Sequence, residues 1–199
     1  MAMVATFLKH GSNVAIVAMS LLLAAAMGLH AVAFVPVAIL IGALLFFLTE
    51  YSTHRFLLHA PPMKNPSVLR MQHRLHYDHH VEPERLDLLF LPPWFLFPAL
   101  AIFVAVYFAI AHNVAVVAAL VLGNLLGLLY YEWVHYVAHI PYRPRTPVGR
   151  WMKKYHLWHH FKNEHLWFGV TNPSMDFVWR TYVRVDEADR SGSTRILFR

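Results

Sequence analysis

The chain contains no cysteine. Disulfides and thiolate ligands are therefore excluded, and any metal site must be built from His, Asp or Glu. Charge is scarce as well: 14% of the 199 residues are Asp, Glu, Lys or Arg, against roughly 25% in soluble domains. The shortage is concentrated. None of these four residue types occurs from Gly11 to Thr49, nor from Leu88 to Tyr131. A bilayer core takes about 20 apolar residues per helix, so each stretch has room for two spans. A soluble helical protein would need charged faces on helices of this length, and neither stretch supplies one. The first segment has no clear small-residue cleavage site and reads as a span rather than a signal peptide.

The first stretch breaks near Gly28 to Pro36 and the second near His112 and Asn113, giving spans at roughly 12–28, 36–51, 93–111 and 114–133. Pro36 and Pro93 fall at helix starts, where a missing N–H costs little. Trp94, Tyr130, Tyr131 and Trp133 fall near the ends, where amphipathic rings settle. The expected fold class is all-α integral membrane. A single domain over residues 1–199 carries four transmembrane helices and a cytosolic helical cap, residues 54–92 and 135–185.

The net charge of +6 is informative through its placement. Lys9 precedes the first span, and Arg55, Lys64, Arg70, Arg74 and Arg85 lie between the second and third. Eleven of the 17 basic residues follow the fourth span, while the two remaining turns carry none. The positive-inside rule then puts both termini and the central loop on the cytoplasmic side. Basic residues there can also grip anionic headgroups. No nucleic-acid partner is expected.

Histidine is what the chain has in excess, with 15 residues. His54 and His59 form H-x4-H at the end of the second span. His76, His79 and His80 form H-x2-H-H in the central loop. His135 and His139 form H-x3-H at the end of the fourth span, and His156, His159 and His160 form a second H-x2-H-H. Under the four-span topology all ten lie at or beyond one cytoplasmic edge, whereas His30 and His112 fall at the other. His135 and His139 share a helical face. His54 and His59 do not: on a regular helix their rings diverge by about 140°. Either a local distortion or a site wrapping the helix end is expected there.

The spacing also repeats. A shift of 80 carries His59, His76, His79 and His80 onto His139, His156, His159 and His160. It also carries Pro61, Val68, Arg70 and Pro93 onto Pro141, Val148, Arg150 and Pro173, while His54 misses His135 by one residue. Two similar halves related by a pseudo-two-fold are inferred, each giving five His to a shared centre. His73 corresponds to Lys153 and His165 to Arg85, which marks both as supporting groups rather than ligands.

Ten imidazoles exceed the needs of one ion, since zinc takes four ligands, or three and a water. Two ions with five nitrogens each keep one octahedral position open apiece, which suits iron and its need for a dioxygen site. Zinc can displace iron in purified protein. Glu50, Glu132, Asp78, Glu82 and Glu164 are candidates for offsetting the positive charge or orienting ligand N–H groups.

At these residues the chain resembles the fatty acid hydroxylase/sterol desaturase superfamily. His54-x4-His59, His76-Tyr-Asp-His79-His80, His135-Tyr-Val-Ala-His139 and His156-Leu-Trp-His159-His160 carry the resemblance. The run Val81–Pro93, Phe168-Gly169 and Asp176 to Thr181 extend it, and fatty acid 2-hydroxylases are nearest in character. The resemblance implies a di-iron centre held by these ten His, dioxygen as co-substrate, and two electrons from a redox partner. It implies a lipid C–H bond converted to C–OH, or in some members C=C. Many eukaryotic relatives carry a fused cytochrome b5 domain. None is expected here, so electrons would come from a separate cytochrome b5-like or ferredoxin-like donor. Asn163 stands where some relatives place a further His. An acyl chain of a fatty acid or sphingolipid-like lipid is the expected substrate. Phe56, Leu57, Trp158 and Trp167 could line its route, although ordinary packing explains them as well.

Four rival readings remain: a desaturase, a sterol or carotenoid hydroxylase, a metal transporter or buffer, and a structural protein with incidental His. A transporter would place ligands within the spans along a path, and these ten cluster at one edge.

Overall fold

The structure is a computed structural model and describes residues 2–194 and 196–197. In chain order the helices are α1 (Ala2–Phe7), α2 (Gly11–Gly28), α3 (Pro36–Thr53), α4 (Pro66–Gln72), α5 (Asp78–Val81), α6 (Leu86–Leu89), α7 (Pro93–Ala111), α8 (Val114–His139), α9 (Pro147–Phe161) and α10 (Ser174–Val178). Two π turns, His54–Leu58 and His73–Tyr77, lie between them, and no strand occurs among the described residues. Four helical segments are long and apolar enough to cross a membrane: Gly11–Gly28, Pro36–Leu58, Leu86–Ala111 and Val114–His139. At 1.5 Å per residue the shortest rises about 27 Å, close to the thickness of a bilayer core. The all-α, integral-membrane expectation holds.

The chain forms two compact units. The first comprises Met1–Phe47 and Phe90–Glu132. Its core gathers Ile16, Met27, Ala38, Leu96, Tyr107, Leu120 and Leu125. Glycine lets two helices of this unit touch along their backbones. A Cβ at Gly42 would strike the Leu120 carbonyl, and one at Gly123 the carbonyl of Ile39. In lipid, where apolar surface gains little from burial between helices, such small-residue contacts and interhelical hydrogen bonds hold spans together. Asn124 supplies the latter: its amide donates to the Gly42 carbonyl at 2.8 Å and to Tyr107 Oη at 2.6 Å.

The second unit comprises Leu48–Leu89 and Trp133–Arg199. Two of its helices share a start. Asn65 caps α4 by accepting from the N–H groups of Ser67 and Val68, and Thr146 caps α9 by accepting from Gly149. Each cap precedes a Pro at the first helical position, where its fixed φ favours the helix. On α9 the buried residues are Met152, Tyr155, His156, His159 and His160. That is the i, i+3, i+4, i+7, i+8 stripe of a core-facing helix. The H-x2-H-H motif is therefore the core stripe written in histidine. Gln72, Leu75, His76, His79 and His80 repeat it in the first half and are also buried.

Candidate metal centre

Four segments deliver the ten histidines. His135 and His139 leave the last turns of α8 four residues apart. His156, His159 and His160 leave the last turns of α9. His54 and His59 require a π turn: the His59 N–H bonds back to the His54 carbonyl at 3.1 Å, an i→i+5 link. Widening the turn brings residue 59 back over residue 54, and their ring centroids lie 5.0 Å apart. Of the two alternatives that the five-residue spacing left open, this is the local distortion. The second π turn, His73–Tyr77, includes His76 and runs directly into α5, which holds His79 and His80. Such single π turns recur at functional sites.

The rings sort into two clusters that could each hold a metal ion. One contains His54, His59, His76, His80 and His159; the other contains His79, His135, His139, His156 and His160. Each cluster takes four members from one half of the chain and one from the other, with His79 and His159 exchanged. Ring separations repeat between the halves. His54–His59 and His135–His139 stand at 5.0 and 5.1 Å, His76–His80 and His156–His160 at 4.5 and 4.6 Å, and His59–His159 and His139–His79 at 4.7 and 4.6 Å. His80 and His160, each other's counterparts, stack at 4.1 Å where a two-fold axis would pass. The duplication read from the 80-residue shift is thus present in the histidine geometry.

Within each cluster one donor atom per residue lies within 4.8 Å of all the others. Metal–nitrogen bonds of about 2.1 Å put ligands at right angles about 3 Å apart and opposed ligands about 4.2 Å apart. The close Nε2 pairs match the first spacing: His54–His76 at 3.2 Å, His76–His59 at 2.7 Å and His59–His159 at 3.0 Å. In the second cluster His79–His135 stand at 3.1 Å and His139–His156 at 2.9 Å. Hydrogen bonds alone cannot satisfy the run of four in the first cluster. A neutral imidazole nitrogen carries either one proton or one lone pair in its plane, so His76 and His59 cannot each serve two neighbours. A cation bound among the four nitrogens would serve all of them. The donor set, all neutral nitrogen with no thiolate or carboxylate, suits a first-row transition metal.

Burial keeps those imidazoles neutral. His59, His76, His80, His156, His159 and His160 are held well below the ordinary histidine range, first by desolvation and in most cases then by neighbouring imidazoles. His79 is pushed down to about 3 by the same burial. Neutral imidazole is the ligand form.

Two of these rings are aimed by main-chain carbonyls rather than by the expected acids. His54 Nδ1–H donates to the Phe168 carbonyl at 2.5 Å, and His159 Nδ1–H to the Leu166 carbonyl at 2.8 Å. Trp167 between them is fully buried with φ +57, a left-handed conformation rare for a bulky residue. The reversal turns both flanking carbonyls toward one cluster, and Trp167 is fixed there by bonds from its N–H to Thr181 O and from its indole N–H to Val183 O. The acids have other work. Buried Glu50 accepts from the N–H groups of Val170 and Thr171 and from the Thr171 hydroxyl. Asp78 pairs with His73 at 2.9 Å, Glu82 with Arg85, and Glu164 accepts from Ser191 and Ser193. Glu132 accepts from the Leu91 N–H. His73 and His165 join neither cluster. Phe56 meets Trp179 edge to face, and Trp158 packs against Trp167, so their contacts are those of packing.

Fold and site together define a helical integral-membrane protein whose paired five-histidine clusters are suited to two transition-metal ions. Residues 39–181 match the model of the fatty acid hydroxylase family. The chain belongs to that family. Over 152 residues it is 33% identical to fatty acid 2-hydroxylase of Rattus norvegicus, covering 75% of this chain and 40% of that protein. Over 148 residues it is 34% identical to the ceramide very long chain fatty acid hydroxylase SCS7 of Saccharomyces cerevisiae, covering 73% of this chain and 38% of that one. The solved structure of full-length scs7p, in which only the hydroxylase domain is visible, superposes with a TM-score of 0.70 at 33% identity, covering 77% of this chain and 58% of that chain. The chain thus spans about two fifths of the length of these first two curated relatives.

Proposed function

We propose that the protein is an integral-membrane lipid hydroxylase whose ten clustered histidines hold two iron ions. The acyl chain of a fatty acid or sphingolipid-like lipid is its substrate. The observation that carries this reading is the pair of five-histidine clusters, in each of which one donor nitrogen per residue lies within 4.8 Å of all the others; the names of the relatives supply the substrate class. Conversion of C–H to C–OH by dioxygen releases the second oxygen atom as water and consumes two electrons and two protons. A separate donor, cytochrome b5-like or ferredoxin-like, supplies those electrons. Bound iron would supply the redox chemistry and an open position for dioxygen.

The chain's own residues do the rest. His54, His59, His76, His80 and His159 would hold one ion, and His79, His135, His139, His156 and His160 the other. The Phe168 ring packs on His54, His59 and His159 at 5.8, 5.2 and 5.4 Å and excludes water from that flank. The basic residues that follow the fourth span favour a cytoplasmic location for the termini and the metal centre, within reach of soluble donors.

The test is a lipid comparison between cells expressing the chain and cells expressing the variant with His79→Ala and His159→Ala. A lipid that gains one oxygen and disappears in the variant supports the reading. Loss of two hydrogens would make it a desaturase, and an oxidised sterol or carotenoid would change the substrate class. Unchanged lipids in all three classes would refute it.

A further inference from the structure

Resting on that metal-binding reading, we propose that the two clusters are unequal. The one formed by His54, His59, His76, His80 and His159 is the tighter site and fills first, because a loop pinned by Asp176 orients two of its imidazoles.

The Asp176 carboxylate is fully buried and each of its oxygens accepts twice. Oδ1 receives the Phe168 N–H at 2.9 Å and the Thr181 hydroxyl at 2.6 Å; Oδ2 receives the Gly169 N–H at 2.8 Å and the Tyr155 hydroxyl at 2.9 Å. Phe168 is the residue whose carbonyl accepts from His54. Tyr155 lies on α9 one turn before His159. One carboxylate therefore joins the loop that presents the carbonyl to the helix that carries a ligand. A carbonyl on Nδ1–H fixes the tautomer that leaves the Nε2 lone pair free and makes that nitrogen more basic.

The other cluster lacks this support at the matching position. His79, the counterpart of His159, has no hydrogen-bond partner at Nδ1 among the described residues; His156 and His160 also lack one there, as do His59 and His80 in the first cluster, so the difference lies in the carbonyls on His54 and His159. Electrostatics lean the same way. The Lys153 ammonium donates to the carbonyls of Val137, Ile140 and Tyr142 at 3.0, 2.6 and 3.1 Å, which fixes a positive charge among residues flanking His139. Its counterpart in the first half is His73, which faces the Asp78 carboxylate at 2.9 Å. A dication is disfavoured beside the Lys153 ammonium, and the matching position of the first half holds neither Lys nor Arg.

The experiment is a Co²⁺ titration of the full chain in detergent after chelator stripping, followed by Co²⁺ absorbance. Two phases are expected, separated by about tenfold or more in Kd. His159→Ala removes the tight phase and His79→Ala the weak one. Asp176→Asn weakens the tight phase by about 10- to 100-fold, the usual cost of losing a group that orients a ligand, and spares the weak phase. If that variant does not fold, Thr181→Val removes one of the four donors and produces a smaller weakening confined to the tight phase. Two equivalent ions, loss of the tight phase in His79→Ala, or equal weakening of both phases in Asp176→Asn would overturn the inequality while leaving metal binding intact. No Co²⁺ binding to the wild-type chain would overturn the metal reading itself.

Discussion

His79 and His159 have exchanged partners. Each is the middle histidine of an H-x2-H-H motif, and each sits in the cluster otherwise built by the opposite half of the chain. Their motif companions stay at home: His76 and His80 with His54 and His59, His156 and His160 with His135 and His139. Neither half supplies all five histidines of a cluster, so the two halves must meet before either cluster exists.

The clusters separate the proposed ligands from histidines that merely lie close in sequence. His76→Ala is expected to remove about one metal ion per chain, since the cluster loses a nitrogen that faces both His54 and His59. His73→Ala, three residues away, is expected to retain both ions, because its ring is engaged with Asp78. Metal analysis of the two purified variants decides the point, and equal losses would contradict the assignment.

Acid should empty the centre. Burial holds His76, His80, His156, His159 and His160 below the ordinary range and His79 at about 3. These groups stay neutral in the fold, whereas the unfolded chain takes up protons below about pH 6.5. The unfolded state then binds more protons, so the stability they contribute is complete above about 6.5 and is lost as pH falls from there toward the folded values. Metal retention follows the same direction, because ligands must be deprotonated. Thermal stability and metal content measured together across this range should fall in step on acidification. A flat profile down to about pH 4 would contradict the neutral-ligand assignment.

Gly169 has no room for a side chain. A Cβ there would strike the Asn172 carbonyl and lie 2.9 Å from Asp176 Oδ2. Gly169→Ala should therefore displace the loop that aims His54 and His159, costing about 1–3 kcal/mol, as overpacking does. Denaturation of the purified protein measures the loss, and an unshifted midpoint would show that the loop is softer than its contacts suggest.

Asn124→Leu probes the membrane helices without touching the histidines. Loss of its bonds to Gly42 and Tyr107 should destabilise the protein by about 0.6–1.7 kcal/mol, the range for interhelical hydrogen bonds in lipid. Metal content should not change. A variant that folds normally but loses metal would show that this contact also governs the centre.

Much of this was legible in the sequence because it depends on spacing. Charge-free runs require spans, and ten histidines with an 80-residue repeat require a shared centre with internal symmetry. The H-x4-H spacing called for either a distorted helix or a site wrapping its end, and the π turn at His54–Leu58 supplies the first. The supports were not legible. The carbonyls of Leu166 and Phe168 belong to the main chain, which every residue carries, so no residue type marks them. Glu50 binds N–H groups of that loop from 120 residues away and Asp176 from eight, and only folding reveals that a carboxylate acts on an imidazole through a peptide.

Metal content per chain in anaerobically purified protein tests the central claim most directly. About two transition-metal ions, chiefly iron, are expected per folded chain, one for each five-histidine cluster. A folded, freshly prepared protein that contains no transition metal and takes up none would contradict the account.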